Sequence, residues 1–170
     1  MNWQFHTFNT LSTRDLFDFM KLRVDVFVVE QACAYPELDN HDISESTLHL
    51  LGYDATRLVA YARAITATHH PGDTEAVKIG RVVVASSHRG TGVAQALMTT
   101  MLNKLNVEYP TCSPYLAAQY AIMDFYQAFG FTPISEVYQE DGIPHIDMHR
   151  SPSTARAREL GQTNSRQNND

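Results

Sequence analysis

Between a run of valines and an amphipathic stretch stand Arg89, Gly90, Thr91 and Gly92, followed by Val93 and Ala94. If the valines form a buried strand and the stretch beyond forms a helix, the turn delivers the helix's first N–H groups. Those groups have no internal partner and sit at the positive end of the helix dipole. Glycines let a backbone approach a phosphate closely, and Arg89 adds a planar fork of donors. The chemistry on offer is an anion site of about pyrophosphate size. A short Gly-containing turn is a weak signal by itself, since most such turns bind nothing. Two nucleotide loops are excluded on detail. There is no G-x-x-x-x-G-K-[ST], and the glycines do not make G-x-G-x-x-G within a compact βαβ unit.

Other groups carry less. Glu37, Asp39, His41 and Asp42 could be drawn as metal ligands. They lack a recognised ligand spacing, so the expectation is a solvated acidic loop and no metal. His69 and His70 have no partner pair. Cys33 could carry an acyl group, but no adjacent His motif supports a covalent route. Tyr126 shares a helical stripe with Ile122, Phe125 and Phe129, and spacing alone makes it a core aromatic.

The elements that must position these residues are legible in outline. Trp3 and Phe5 mark a first strand. Ser12, three residues before Asp15, resembles a capping box, and Leu16, Met20, Val24 and Phe27 continue at helical spacing, predicting a helix from about 13 towards 28. Residues 32–46, rich in Pro, Asp, Asn and His, read as loop. Two strands at 48–53 and 58–65 follow as a hairpin, then a polar loop holding His69, His70, Pro71 and Gly72. A third strand at 77–85 has the β-branched density of a buried one. After it Val93, Leu97, Met101 and Leu105 form a helical stripe. A strand near 115–118, a helix through Phe125 and Phe129 stopped by Gly130, and strands at 133–138 and 143–148 around Asp141 and Gly142 complete the order. The fold class is α+β, a mixed central sheet flanked by helices.

The 170 residues suit one domain with a core of its own. Patterning ends near 150, and residues 151–170 hold one large aliphatic side chain, Leu160, so they are expected to be a disordered tail. A net charge of −6, from 13 basic and 19 acidic residues, argues against nucleic acid as partner and is mildly compatible with a cationic amine substrate. Cys33 and Cys112 stand far apart, with no C-x-x-C. No long apolar run or signal-peptide pattern occurs, so the expectation is a cytoplasmic protein with reduced thiols and no membrane partner. A homodimer through an edge strand is compatible with the sequence.

Arg89-Gly90-Thr91-Gly92-Val93-Ala94 resembles the GNAT acyltransferase signature [QR]-x-x-G-x-[GA], and Val82, Val83 and Val84 resemble the strand before it. About thirty residues on, Phe125-Tyr126-Gln127-Ala128-Phe129-Gly130-Phe131 resembles the family's second motif. The stretches Leu22 to Gln31 and Glu140 to Met148 look like the ElaA-like branch, so the resemblance covers nearly all of residues 1–150 as an N-acetyltransferase domain. Ser86 stands where many relatives have Pro, and Gln119 where they have Asn.

The resemblance implies a GNAT fold and transfer of an acetyl group from acetyl-CoA, a cosubstrate, directly to a primary amine on a small molecule or peptide. That reaction sets three demands. At pH 7 only about one lysine-like amine in 10³ is neutral, so a base must take a proton. Charge grows on the thioester oxygen, where a preorganised N–H is worth on the order of 3 kcal/mol. The leaving thiolate, of conjugate-acid pKa about 8.5, needs an acid. By resemblance, backbone groups of Val82 and Val84 hold the pantetheine and the acetyl carbonyl. The N–H groups from Arg89 to Ala94 cradle the pyrophosphate, Gln119 contacts the cofactor, and Tyr126 protonates the sulfur. Glu30 is the first candidate base and His145 the second, an imidazole being a side chain suited to accept a proton. Arg23, Gln31 and Arg81 are candidates to shape the acceptor pocket. The rival readings are a non-catalytic acyl-CoA-binding module and a nicotinamide-dependent enzyme.

Overall fold

The computed structural model describes residues 1–68 and 76–152. The expected polar turn at 69–72, and all but the first two residues of the expected tail, lie outside them. The chain runs β1 (Asn2–His6), α1 (Thr13–Arg23), β2 (Thr47–Asp54), β3 (Arg57–Thr68), β4 (Ala76–Val84), α2 (Val93–Glu108), β5 (Ser113–Gln119), α3 (Met123–Gln127), β6 (Thr132–Pro133), β7 (Tyr138–Glu140) and β8 (Ile143–His149). The strands form one mixed sheet in the order β1-β2-β3-β4-β5-β8-β6, with β7 also on β8. On one face Leu50, Ala62, Ile79 and Leu116 pack with Leu97, Met98, Met101 and Leu105 of α2. On the other, Leu51, Val59, Tyr61 and Val83 meet Phe19, Leu22 and Val26. No helix among the described residues is long and apolar enough to cross a membrane.

α1 starts as its sequence dictates. Asp15 N donates to Ser12 Oγ at 3.1 Å and Ser12 N to Asp15 Oδ2 at 3.3 Å, a reciprocal cap. The continuation differs from expectation. α-Helical winding ends at Arg23, and Val24–Glu30 winds as a π-helix, with Gln31 N bonded to Val26 O and Cys33 N to Val28 O, each at 3.1 Å. The buried face is Phe19, Leu22, Arg23 and Val26 rather than the stripe from Leu16 to Phe27. An arginine on the inward face disguised it.

The expected strand at 133–138 is two pieces. β6 pairs with β8 at Thr132↔His149 and Pro133↔Met148, and β7 resumes at Tyr138↔His145. Between them Ile134 N still reaches Asp147 O at 2.9 Å, and Ser135 Oγ accepts from Asp147 N at 2.9 Å, so a side chain replaces a ladder rung.

Two irregularities of β4 set up the site. Between Arg63↔Gly80 and Tyr61↔Val83 the strand takes one step more than β3, a bulge at Arg81 and Val82. Arg81 adopts φ 54, a left-handed conformation costing a non-glycine residue about 1–2 kcal/mol. The extra residue flips the pleat. Val77 and Ile79 face the α2 side before it, whereas Val84 does so after it and Val83 faces α1. The parallel pairing of β4 with β5 is confined to Ala76↔Ser113, Val77↔Pro114 and Lys78↔Tyr115.

Candidate active site

Where β4 and β5 stop pairing, a cleft of about 300 Å³ opens. Gly80 to Val84 line one wall, and Leu116, Ala117 and Gln119 of β5 the other. The π-helical segment contributes Phe27 and Glu30, and the β7–β8 hairpin contributes Glu140, Asp141 and His145. Ala85 N donates to Val59 O at 2.8 Å, towards β3. By strand alternation the polar groups of Val84 and Val82 lie on the opposite edge. Arg89 meets them there, its Nε donating to Val84 O at 3.0 Å.

At the end of β4 the turn into α2 is open. Gly90 and Gly92 have φ of 73° and 86°, and a Cβ on either would meet nothing within 4 Å. Conformation, not crowding, therefore requires glycine there. No side chain among the described residues caps α2, and its first internal bond is Ala96 N to Gly92 O at 3.0 Å, leaving the N–H groups of Val93 and Ala94 without helical acceptors. Thr91 Oγ1 donates back to His88 O at 2.7 Å and braces the turn. The fork of Arg89 is engaged by Glu30, with Nη1 to Oε1 at 2.6 Å and Nη2 to Oε2 at 3.0 Å. This hydrogen bonding holds the Glu30 carboxyl below its ordinary range.

Tyr126 reaches the cleft from α3 with 6% of its surface exposed, packed edge-on against Phe125 and Phe131. Its hydroxyl has no hydrogen-bond partner among the described residues, and burial pushes its pKa up to about 12. His145 stacks on Tyr138, and its Nδ1 lies 2.9 Å from Ile143 O. A carbonyl only accepts, so Nδ1 carries the proton and Nε2 the lone pair. Gln119 Nε2 donates to Gln31 Oε1 at 3.2 Å, joining β5 to the end of the π-helical segment.

The acidic loop is not solvated as expected. Glu37 and Asp42 are buried, and Asp39 is partly so. Arg23, with 0% exposure, donates from Nε to Glu37 Oε1 and from Nη1 to Asp42 Oδ1, both at 2.6 Å. Arg63 donates to Asp39 and Asp42, and Arg81 Nε lies 2.8 Å from Glu37 Oε2. Burial works against the Asp39 carboxylate, but hydrogen bonds from Arg63 outweigh it and hold the pKa at about 2. Three arginines thus occupy the carboxylates that the sequence offered to a metal.

Arg81 lines the cleft, whereas Arg23 stands behind it and reaches it only through Glu37. Sequence reasoning missed Tyr35, a cleft residue whose hydroxyl donates to Glu37, and the whole clasp around that carboxylate. The available signal was Arg23, since a cation on an inward helix face demands buried carboxylates.

A sequence profile described as an acetyltransferase (GNAT) domain matches residues 18–152. Over 150 residues the chain is 43% identical to protein ElaA of Escherichia coli K12, covering 88% of this chain and 96% of that protein. The crystal structure of E. coli ElaA matches with a TM-score of 0.81 over 88% of this chain and 99% of that one. An acyl-CoA N-acyltransferase from Pseudomonas aeruginosa, 37% identical, gives 0.82 over the same shares. A UPF0039 protein of Schizosaccharomyces pombe is 40% identical over 142 residues, 83% of this chain and 91% of its own length.

Proposed function

Because the chain belongs to the GNAT family of acyl-CoA-dependent acyltransferases, we propose that it transfers an acetyl group from acetyl-CoA directly to a primary amine of a small molecule or peptide. One observation carries this reading: an uncapped α2 N-terminus behind two open glycines, continuous with a β4 edge that beyond Lys78 has no strand partner among the described residues. The first suits a diphosphate, the second an extended amide-bearing arm.

In this reading the N–H groups from Gly90 to Ala94, with the Arg89 side chain beside them, hold the diphosphate, while the Arg89 N–H turns back to Ser86 O at 3.4 Å. Val83 stays paired to β3 while Val82 and Val84 offer their polar groups to the pantetheine and the acetyl carbonyl. Gln119 and Gln31 border the arm, and Arg81 borders the acceptor end. The amine nitrogen attacks the thioester carbon, a C–N bond forms and the C–S bond breaks. Tyr126 gives its proton to the departing sulfur. The amine proton goes to His145, whose Nε2 lone pair is free, in preference to Glu30, whose carboxylate is committed to Arg89. Cys33 and Cys112 form no disulfide among the described residues, which fits a cytoplasmic setting.

Thermal unfolding tests the cosubstrate. Acetyl-CoA at 100 times its Kd should add about 2.7 kcal/mol, and a nicotinamide dinucleotide nothing. Thiol release across an amine panel then tests catalysis. Binding without release for any amine would favour an acyl-CoA-binding module instead.

A further inference from the structure

Arg81 stands in the middle of a strand in a backbone conformation that glycine would adopt at no steric cost. Its guanidinium is gripped. Nε is 2.8 Å from Glu37 Oε2, Nη2 donates to Glu37 O at 3.1 Å, and its charge lies 5.8 Å from the centroid of the Tyr35 ring. Glu37 is itself fixed, because Arg23 donates to its Oε1 at 2.6 Å and to its carbonyl at 2.9 Å. A buried line of charge thus runs from α1 through the 32–46 loop to the bulge of β4.

We propose that Arg81 is a positioning residue: Glu37, anchored by Arg23, holds Arg81 in the left-handed conformation, and the resulting bulge aims the Val82 and Val84 N–H groups into the cleft. This rests on reading the cleft as an acyl-CoA site. The pleat supplies the reason. The inserted residue reverses the alternation of β4, so an unbulged strand would present the N–H groups of Arg81 and Val83 to the cleft and turn those of Val82 and Val84 towards β3. Glycine would enter the bulge freely, but it offers no side chain by which the loop can hold it. The Arg81 side chain therefore faces Glu37, and its task differs from gripping the acceptor.

The test needs no acceptor. Carbonyl-labelled [1-¹³C]acetyl-CoA is titrated onto wild type, Arg81→Ala, Arg81→Gly, Glu37→Gln and the Glu37→Gln/Arg81→Gly double variant. Calorimetry gives Kd, and infrared difference spectroscopy gives the bound thioester carbonyl band. Wild type should displace that band to lower frequency. Arg81→Ala and Glu37→Gln should lose most of the displacement and bind about tenfold more weakly. Arg81→Gly should restore the displacement and bind within about threefold of wild type, since glycine re-enters the bulge unaided. Glu37→Gln should then add little in the Arg81→Gly background, the sign of a shared pathway. Thermal unfolding confirms that each variant is folded, and the Ala-against-Gly comparison stands even if Glu37→Gln does not fold. Full displacement in Arg81→Ala, or Arg81→Gly no better than Arg81→Ala, overturns the inference and leaves the acyl-CoA reading intact. Wild type that binds with no band displacement does the same. Wild type that does not bind acetyl-CoA overturns both.

Discussion

Replacing Tyr126 with Phe removes one oxygen from a ring otherwise packed on Phe125 and Phe131. Turnover with a competent amine should fall by about 10²-fold while the calorimetric Kd for acetyl-CoA holds. Burial raises this phenol to about 12, so it remains a proton donor at least to pH 10. Alkaline loss of activity below that pH should therefore come from other groups, and a pH–rate profile of Tyr126→Phe should keep the same alkaline limb. The base divides similarly. His145→Gln should lower kcat by about 10²-fold, and Glu30→Gln by less. The reverse order would return the role to the carboxylate. The Gly-containing turn into α2 and the burial of Tyr126 were legible in the sequence because each sits in a local pattern. Glu37 was not, because its partners lie fourteen residues away in α1 and forty-four away in β4.

In the proposed reading, the α2 start is the element that sets cosubstrate affinity. Gly92→Ala forces a side chain into φ 86, at a cost of about 1–2 kcal/mol, and should weaken acetyl-CoA binding roughly tenfold. Titration calorimetry reads that directly, and thermal unfolding separates it from loss of fold. Most elements were legible because period and punctuation agreed, as in the Ser12–Asp15 cap and the valine-rich β4. Three features were hidden. The π-helical turn changes hydrogen-bond register without changing composition. The β4 bulge puts its positive φ on Arg81, one residue past Gly80, although glycine is the residue that usually takes that conformation. The break between β6 and β7 is bridged by Ser135, which reads like any strand residue.

Across the whole molecule, acid sensitivity should have a defined origin. His49 is fully buried, with Nδ1 2.7 Å from the Tyr61 hydroxyl and Nε2 3.0 Å from Asp42 O, and burial lowers its pKa from 6.5 to about 4. The folded protein refuses a proton that the unfolded chain accepts. Stability from this group is complete above pH 6.5 and drains away as pH falls towards 4, by roughly 3 kcal/mol. Urea unfolding at pH 7, 5.5 and 4 should show that slope, and His49→Gln should flatten it. The carboxylates of Asp39 and Asp42, both depressed, add their own loss below that window.

Arg23, sealed against solvent and stacked over Phe19 and Tyr61, also constrains the order of assembly. A naked cation cannot be shut inside before its counter-ions arrive. Packing of α1 over the sheet is therefore expected to be coupled to docking of the segment bearing Glu37 and Asp42.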